Sequence, residues 1–208
     1  MKVIGVYRKC DFVTMLGTTF ALSGILLSIH HKTMLAIFCL IFAAICDAFD
    51  GVVARKGKNT KEQTTYGVEL DSLSDAISFG VLPMLIVQNL SHPSIYLYVI
   101  SVFFCLAGII RLAYFNMLSI TGKSNGKEFI GLPITASAII LPAVYFIVKL
   151  LRIKVGYIVF PITLLITGML FISPFKLKKL TNREKVLFSV LGVVAITVCI
   201  LRIVLITK

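Results

Sequence analysis

Long apolar segments separated by short polar connections occupy most of this chain from residue 11 onward. A run of about 20 apolar residues is long enough to cross the hydrocarbon layer of a membrane as an α-helix. The connections carry the polar and helix-breaking residues, as in NLSHPS at 89–94. Seven segments meet this criterion: 11–30, 33–55, 66–90, 94–118, 129–151, 155–173 and 184–206. We therefore predict an all-α, polytopic integral membrane protein with one domain over residues 1–208.

The composition agrees with a bilayer environment. Of the 208 residues, 58% are hydrophobic and 14% are charged, whereas soluble domains carry about 25% charged residues. The mean hydropathy is +0.99.

The net charge is +12, and the basic residues are unequally divided between the two sides of the predicted membrane domain. This division argues against a nucleic-acid partner. With the N-terminus inside, fourteen Lys and Arg residues fall on the cytoplasmic side and six on the other, with Arg111 within a segment. The positive-inside rule then predicts a multi-pass protein of the cell membrane with a cytoplasmic N-terminus. The basic and amphipathic residues 1–10 are expected to form a segment on the membrane surface.

Six of the nine Asp and Glu residues fall between positions 47 and 75. Asp47 and Asp50 are three apart near the end of the second segment, and Asp71 and Asp75 are four apart in the third. Each pair therefore lies on one side of its helix. Because the two segments are antiparallel neighbours joined by a polar turn, both pairs are expected to meet in one cytoplasm-facing cleft. Glu69 points away from this face.

Four carboxylates in one cleft repel one another unless cations lie between them. Oxygen ligands without His or Cys are typical of Mg²⁺, Mn²⁺ or Ca²⁺ sites rather than zinc sites. Paired divalent cations recur in displacement reactions at phosphorus. Intramembrane acids also serve as caps, as paired structural charges or as the cation pathway of a transporter. A transporter of that kind is expected to show discontinuous helices and internal pseudo-symmetry, and the sequence has no visible repeat.

Small residues and an arginine accompany the acids. Gly51 directly follows Asp50, and Ala54 lies one helical turn further along, which leaves room for a ligand near the backbone. Gly67 lies one turn before the second acidic pair. Arg55 is placed near the interface, where a guanidinium can hold a phosphate bidentately. The combination predicts a pocket for a metal-bound, phosphate-bearing ligand.

This run of residues resembles the defining motif of the CDP-alcohol phosphatidyltransferases, whose eight positions are Asp47, Asp50, Gly51, Ala54, Arg55, Gly67, Asp71 and Asp75. Members of that family are integral membrane enzymes with a six-helix core, and they usually act as dimers. The resemblance implies such a core over residues 11–173, about one additional transmembrane helix at 184–206, and a homodimer.

The resemblance also implies roles for the motif residues. Asp47, Asp50, Asp71 and Asp75 are expected to hold two divalent cations, Mg²⁺ or Mn²⁺, with Ca²⁺ as another occupant. Asp75 is expected to act as the general base as well. The CDP site is expected to be lined by Gly51, Ala54, Arg55 and Gly67.

Two departures from the family pattern are visible. The gap from Arg55 to Gly67 is a few residues longer than usual, and the extra length falls in a polar turn where insertion costs little. In the first segment, Thr14 matches a family threonine, but Asp11 and Gly17 stand where asparagines are usual.

Three further stretches resemble the phosphatidylserine synthases of this family: GVELDSLSDAISFGVLP at 67–83, RLAYFN at 111–116 and FIGLPITASA at 129–138. Tyr114 stands where an arginine is more usual, and Thr135 replaces a proline. Arg111, within the fourth segment, can pair with an acid or receive the carboxylate of serine. Asn116 and Ser78 are further candidates for binding the acceptor.

The resemblance implies transfer of the phosphatidyl group from CDP-diacylglycerol to the hydroxyl of L-serine, which forms phosphatidylserine and releases CMP. The implied mechanism is a two-metal-assisted displacement with Asp75 as the base. The same chemistry with glycerol 3-phosphate as acceptor is the alternative within the family, and a cation-coupled transporter is the alternative outside it. A glycerol 3-phosphate acceptor would favour a cluster of basic residues near the site, and Arg111 alone provides few.

Overall fold

The computed structural model describes residues 5–54, 60–121 and 128–178 of the chain. The predicted segment at 184–206 and the motif residue Arg55 lie outside these ranges.

Seven α-helices and two short strands make up the described part of the chain. The helices are α1 (Lys9–Ile29), α2 (Thr33–Ala54), α3 (Lys61–Asp75), α4 (Leu82–Leu90), α5 (Ile95–Ile120), α6 (Ser137–Leu150) and α7 (Gly156–Ile172). A π-helical turn, Ala76–Val81, joins α3 to α4 in one continuous helix from Lys61 to Leu90. The first six predicted segments therefore correspond to α1, α2, the continuous helix α3–α4, α5, α6 and α7, and the all-α fold class is confirmed.

The helices are apolar enough for a membrane domain. Among the described residues, four helices are long enough to cross a bilayer: Lys9–Ile29, Thr33–Gly51, Lys61–Leu90 and Ile95–Ile120. Two shorter apolar helices follow, Ile134–Leu150 and Gly156–Ile172. Large apolar side chains cover their outer faces, among them Leu22, Ile110 and Ile166, which are 48%, 59% and 53% exposed. Such faces suit contact with lipid rather than water.

The start of the third helix differs from the sequence-based expectation. The sequence predicts a start at residue 66, whereas α3 begins at Lys61. Thr60 caps this helix: its hydroxyl accepts a hydrogen bond from the backbone N–H of Gln63, and the Gln63 side chain accepts one from the backbone N–H of Thr60. This reciprocal capping box satisfies two donors at the helix start. Part of the long Arg55–Gly67 gap is therefore an extra helical turn.

The segment predicted as a helix at 129–151 is helical only in its second part. Glu128–Ile130 forms a strand, β1, that pairs antiparallel with β2, Lys176–Lys178. Gly131 has φ +72°, a left-handed conformation that glycine adopts readily and that ends the strand. Its backbone N–H donates to the carbonyl of Phe175 over 2.8 Å. The prediction was wrong here because the pairing partner is far away in sequence.

Residues 5–8, the described part of the predicted surface segment, are irregular, and α1 already begins at Lys9. This differs from the expectation of a separate segment over residues 1–10. Helix α1 buries one face of small and polar side chains: Cys10, Asp11, Thr14, Gly17, Ala21, Gly24 and Ser28. Their spacing of three and four residues is typical of closely packed membrane helices.

The packing of α1 is tightest at its glycines. A Cβ atom on Gly17 would lie 3.0 Å from Cβ of Cys46 on α2. A Cβ atom on Gly24 would lie 2.8 Å from Cβ of Cys39 and 2.9 Å from Cδ2 of Leu82. Glycine at these positions therefore lets α1 approach α2 and α4, and this approach brings the polar residues of α1 to the acids of α2.

The variant Gly24→Val is expected to lower the stability of the protein. Overpacking of a filled interface costs about 1–3 kcal/mol, and the added side chain would meet Cys39 and Leu82 at less than contact distance. The midpoint of thermal unfolding in detergent should fall. Leu22→Val, on the exposed face of the same helix, is the control and should leave the midpoint nearly unchanged. Equal midpoints for Gly24→Val and wild type would contradict this packing.

Candidate active site

The structure brings three of the predicted carboxylates together where α2 and α3 face each other. One oxygen from each of Asp47, Asp71 and Asp75 lies within 4.8 Å of the other two, and we call these three residues the carboxylate cluster. The spacings along the two helices place these acids on facing sides. A small cavity lies beside the cluster, and it is lined by Thr14, Gly17, Ala43, Asp47, Asp50, Asp71, Ser74, Asp75, Ser78 and Phe79.

The fourth acid, Asp50, lines the same cavity and is held by α1. Its side chain is buried, and its Oδ2 accepts a hydrogen bond of 2.6 Å from the Thr14 hydroxyl. Thr18, one turn along α1, hydrogen-bonds to Ser74 of α3. Sequence reasoning did not assign Thr14 to Asp50. The sequence feature that indicates such a contact is the small and polar face of α1, on which Thr14 and Gly17 are one turn apart.

The residues of the cleft fit a hard divalent cation. The donors are carboxylate oxygens, which Mg²⁺, Mn²⁺ and Ca²⁺ prefer. Three half-buried carboxylates within 4.8 Å of one another would repel strongly without a cation, since charges interact more strongly away from water. The carboxylate cluster can therefore hold a divalent cation, with Asp50 beside it.

The predicted nucleotide residues are only partly described by the structure. A Cβ atom on Gly51 would meet no atom within 4 Å among the described residues, and the residue is exposed. Open space at this position suits the close approach of a ligand to the backbone. Ala54 is the last residue of α2.

Gly67, which the resemblance places in the CDP site, lies against a side chain from the start of the chain. A Cβ atom on this buried glycine would overlap the guanidinium of Arg8, so glycine makes room for that group. Arg8 in turn forms an ion pair of 2.8 Å with Asp11, and its backbone N–H donates to the same carboxylate over 2.7 Å. The hydrogen bond to Asp11 raises the pKa of the Arg8 guanidinium. Asp11, where the family has asparagine, therefore fixes an arginine beside the cleft.

The charge of Arg8 reaches the acids of the cleft. It acts favourably on both Asp50 and Asp71. The sequence placed Arg8 in the surface segment and on the cytoplasmic side of the charge asymmetry, because nothing local indicates that the residue before α1 packs against Gly67.

The three acceptor candidates have different surroundings. Arg111 of α5 is buried, its Cζ lies 5.5 Å from the centre of the Phe115 ring, and its Nε has no hydrogen-bond partner within the described ranges. The positive charge of Arg111 attracts the Asp75 carboxylate, although the two side chains do not form an ion pair. Ser78 lines the cavity. Asn116 is not among the lining residues, and its side chain exchanges hydrogen bonds with Ser72.

Comparisons with known proteins identify a family for this arrangement. Residues 9–171 match the CDP-alcohol phosphatidyltransferase family. A CDP-diacylglycerol–serine O-phosphatidyltransferase of Methanocaldococcus jannaschii is 37% identical over 174 residues, which are 83% of this chain and 75% of that protein. An archaetidylserine synthase of Methanothermobacter thermautotrophicus is 33% identical over 145 residues, 69% of this chain and 60% of that protein.

A bacterial relative has a similar level of identity. A CDP-diacylglycerol–serine O-phosphatidyltransferase of Helicobacter pylori is 31% identical over 151 residues, 68% of this chain and 58% of that protein. The chain thus spans less than two thirds of the length of the second and third of these relatives.

The variant Asp71→Asn is expected to weaken binding of Mn²⁺ by at least about 100-fold, since loss of even an outer-shell partner costs about 10–100-fold in metal affinity. Purified protein in detergent can be titrated with Mn²⁺, and free Mn²⁺ measured by electron paramagnetic resonance. Glu69→Gln is the matched control: this acid is two positions away on the same helix and is exposed. Wild-type affinity in Asp71→Asn, or equal losses in both variants, would contradict the assignment of the cluster.

Proposed function

The chain belongs to the CDP-alcohol phosphatidyltransferase family, and we propose that it transfers the phosphatidyl group of CDP-diacylglycerol to the hydroxyl of L-serine. The products are phosphatidylserine and CMP. The observation that carries the proposal is the carboxylate cluster, where Asp47, Asp71 and Asp75 lie within 4.8 Å of one another beside a cavity. Serine as acceptor is supported by the names of relatives from archaea and bacteria.

The acids of the cleft provide the metal ligands in this proposal. Asp47, Asp50, Asp71 and Asp75 hold two divalent cations, Mg²⁺ or Mn²⁺, and Thr14 keeps Asp50 turned toward the cleft through its hydrogen bond. When bound, these cations supply positive charge that neutralises the pyrophosphate and the departing CMP.

Asp75 is the general base. Its position in both the carboxylate cluster and the cavity lining lets it accept the proton of the serine hydroxyl. The hydroxyl oxygen then forms a bond to the phosphorus that carries diacylglycerol, and the bond from that phosphorus to the CMP oxygen breaks. A positioned base contributes about 10²–10⁴-fold to the rate of such a step.

The nucleotide part of the donor lies over Gly51, Ala54, Arg55 and Gly67 in this proposal. No described residue fills the space that a Cβ atom on Gly51 would take, which supports a ligand there. Arg55 supplies a guanidinium for the pyrophosphate. Arg8 adds a second guanidinium beside Gly67. Its ion pair with Asp11 keeps it in place before the substrate arrives.

Arg111 receives the carboxylate of the acceptor serine. A buried guanidinium whose Nε has no partner within the described part of the chain favours an anionic ligand, because an uncompensated buried charge is costly. Its charge also acts on Asp75, which supports a role for Arg111 in binding the acceptor. Asn116 takes part through Ser72, the neighbour of Asp71, with which its side chain exchanges hydrogen bonds.

The proposed enzyme works as a homodimer with its N-terminus and cleft at the cytoplasmic face. The charge asymmetry of the loops supports this orientation, and CDP and serine are water-soluble groups that would reach the cleft from the cytoplasm. The acyl chains of the donor stay in the lipid beside the apolar helix faces.

Labelled CDP-diacylglycerol, purified protein and Mn²⁺ test the proposal, with serine, glycerol 3-phosphate and inositol offered in parallel. Of the three acceptors, we expect only serine to give labelled product, and we expect no product after a chelator removes the metal. The turnover rate of Asp75→Asn should fall by about 10²–10⁴-fold. A CDP-activated ether lipid, offered as a second donor, distinguishes the lipid classes that the names of the relatives specify.

The control variant is Glu69→Gln, which should keep wild-type turnover, and the unfolding midpoint of Asp75→Asn should match that of wild type. Product with glycerol 3-phosphate or inositol only would reject serine and leave the family assignment standing. Normal turnover by a folded Asp75→Asn protein would reject its role as the base.

A further inference from the structure

The helix that carries Asp71 and Asp75 changes its geometry immediately after Asp75. Ala76–Val81 forms a π-helical turn before α4 continues as an α-helix. Such turns are rare and occur frequently at functional sites, because one extra residue per turn changes the direction of the side chains that follow. This turn contains the ISFG stretch and adjoins the carboxylate cluster.

Two side chains from other helices hold the π-turn by bonding its carbonyl groups. The hydroxyl of Ser137, at the start of α6, donates to the carbonyl of Phe79 over 2.9 Å. The thiol of Cys105, on α5, donates to the carbonyl of Gly80 over 3.4 Å. Within a membrane domain, carbonyl groups freed from regular helix bonding need partners of this kind. Ser137 is itself 2% exposed, so its bond is shielded from water.

Ser78 lies in the middle of the turn with an unsatisfied hydroxyl. Its side chain is 2% exposed and lines the cavity beside the carboxylate cluster. The hydroxyl has no hydrogen-bond partner among residues 5–54, 60–121 and 128–178. Helical hydroxyls often bond the carbonyl four residues earlier, as Thr18 and Thr167 do in this protein. A buried hydroxyl without a partner is costly, which points to a ligand.

We propose that Ser78 hydrogen-bonds the acceptor substrate, a small polar alcohol with a charged group, and that Ser137 positions Ser78 by holding the π-turn. This inference rests on the proposed function. Ser78 is three residues after Asp75 and lines the same cavity, so an acceptor whose hydroxyl faces Asp75 lies within its reach. Ser137 acts through the backbone of Phe79, which links the FIGLPITASA stretch to acceptor binding.

Steady-state kinetics with serine and CDP-diacylglycerol varied separately test the proposal. Ser78→Ala should raise the KM for serine about five- to tenfold, the equivalent of one hydrogen bond. The KM for CDP-diacylglycerol and the Mn²⁺ affinity should stay at wild-type values. Ser137→Ala should raise the same KM by a smaller factor, and Ser137→Thr, which keeps a hydroxyl donor, should restore it.

Ser101→Ala is the control, because Ser101 is also a buried serine, but its hydroxyl hydrogen-bonds to Gln88 and does not line the cavity. Its KM values should equal those of wild type. If Ser78→Ala does not fold, Ser78→Cys, which is nearly isosteric with a weak donor, should show the same selective rise.

An unchanged KM for serine in the folded Ser78 variant, or equal rises for serine and CDP-diacylglycerol, would overturn the proposal. A rise in Ser137→Ala that Ser137→Thr does not reverse would overturn the role of Ser137. Wild-type protein that transfers to no acceptor would instead contradict the proposed function itself, so the two failures are distinguishable.

Discussion

Repulsion among carboxylates is the constraint on which the rest of this structure depends. Two unit charges about 4 Å apart interact by about 4 kcal/mol at the effective dielectric constant of a protein surface, and by more in drier surroundings. Asp47, Asp71 and Asp75 have oxygens within 4.8 Å of one another on helices that suit a bilayer. An arrangement of this kind persists only where positive charge and hydrogen-bond donors converge on it.

Helix α1, the residue that precedes it, and helix α5 supply that compensation within the chain. On one side, Thr14 donates to Asp50, and the guanidinium of Arg8 lies above Gly67 with its charge acting on Asp71. On the other side, the charge of Arg111 acts on Asp75. The glycines of α1 matter for the same reason, because close packing on α2 brings these groups within reach. The remaining repulsion favours divalent cations, which the donor set fits.

Much of this architecture could be predicted from the sequence, because it depends on local periodicity. Apolar runs of membrane-spanning length predicted six of the observed helical segments, and spacings of three and four residues predicted which acids share a face. The strands β1 and β2 could not be predicted, since Glu128–Ile130 pairs with residues more than forty positions away. The π-turn could not be predicted either, because the donors that hold it, Ser137 and Cys105, come from other helices.

The most direct test of the central claim is the position of the metal in a crystal of the protein grown with Mn²⁺ and a CDP-containing ligand. Anomalous scattering from manganese locates the ion independently of any assumption about the side chains. We expect anomalous density bounded by Asp47, Asp71 and Asp75, with Asp50 as a further ligand. Manganese bound only at other residues, with these carboxylates uncoordinated in an enzymatically active preparation, would contradict the account.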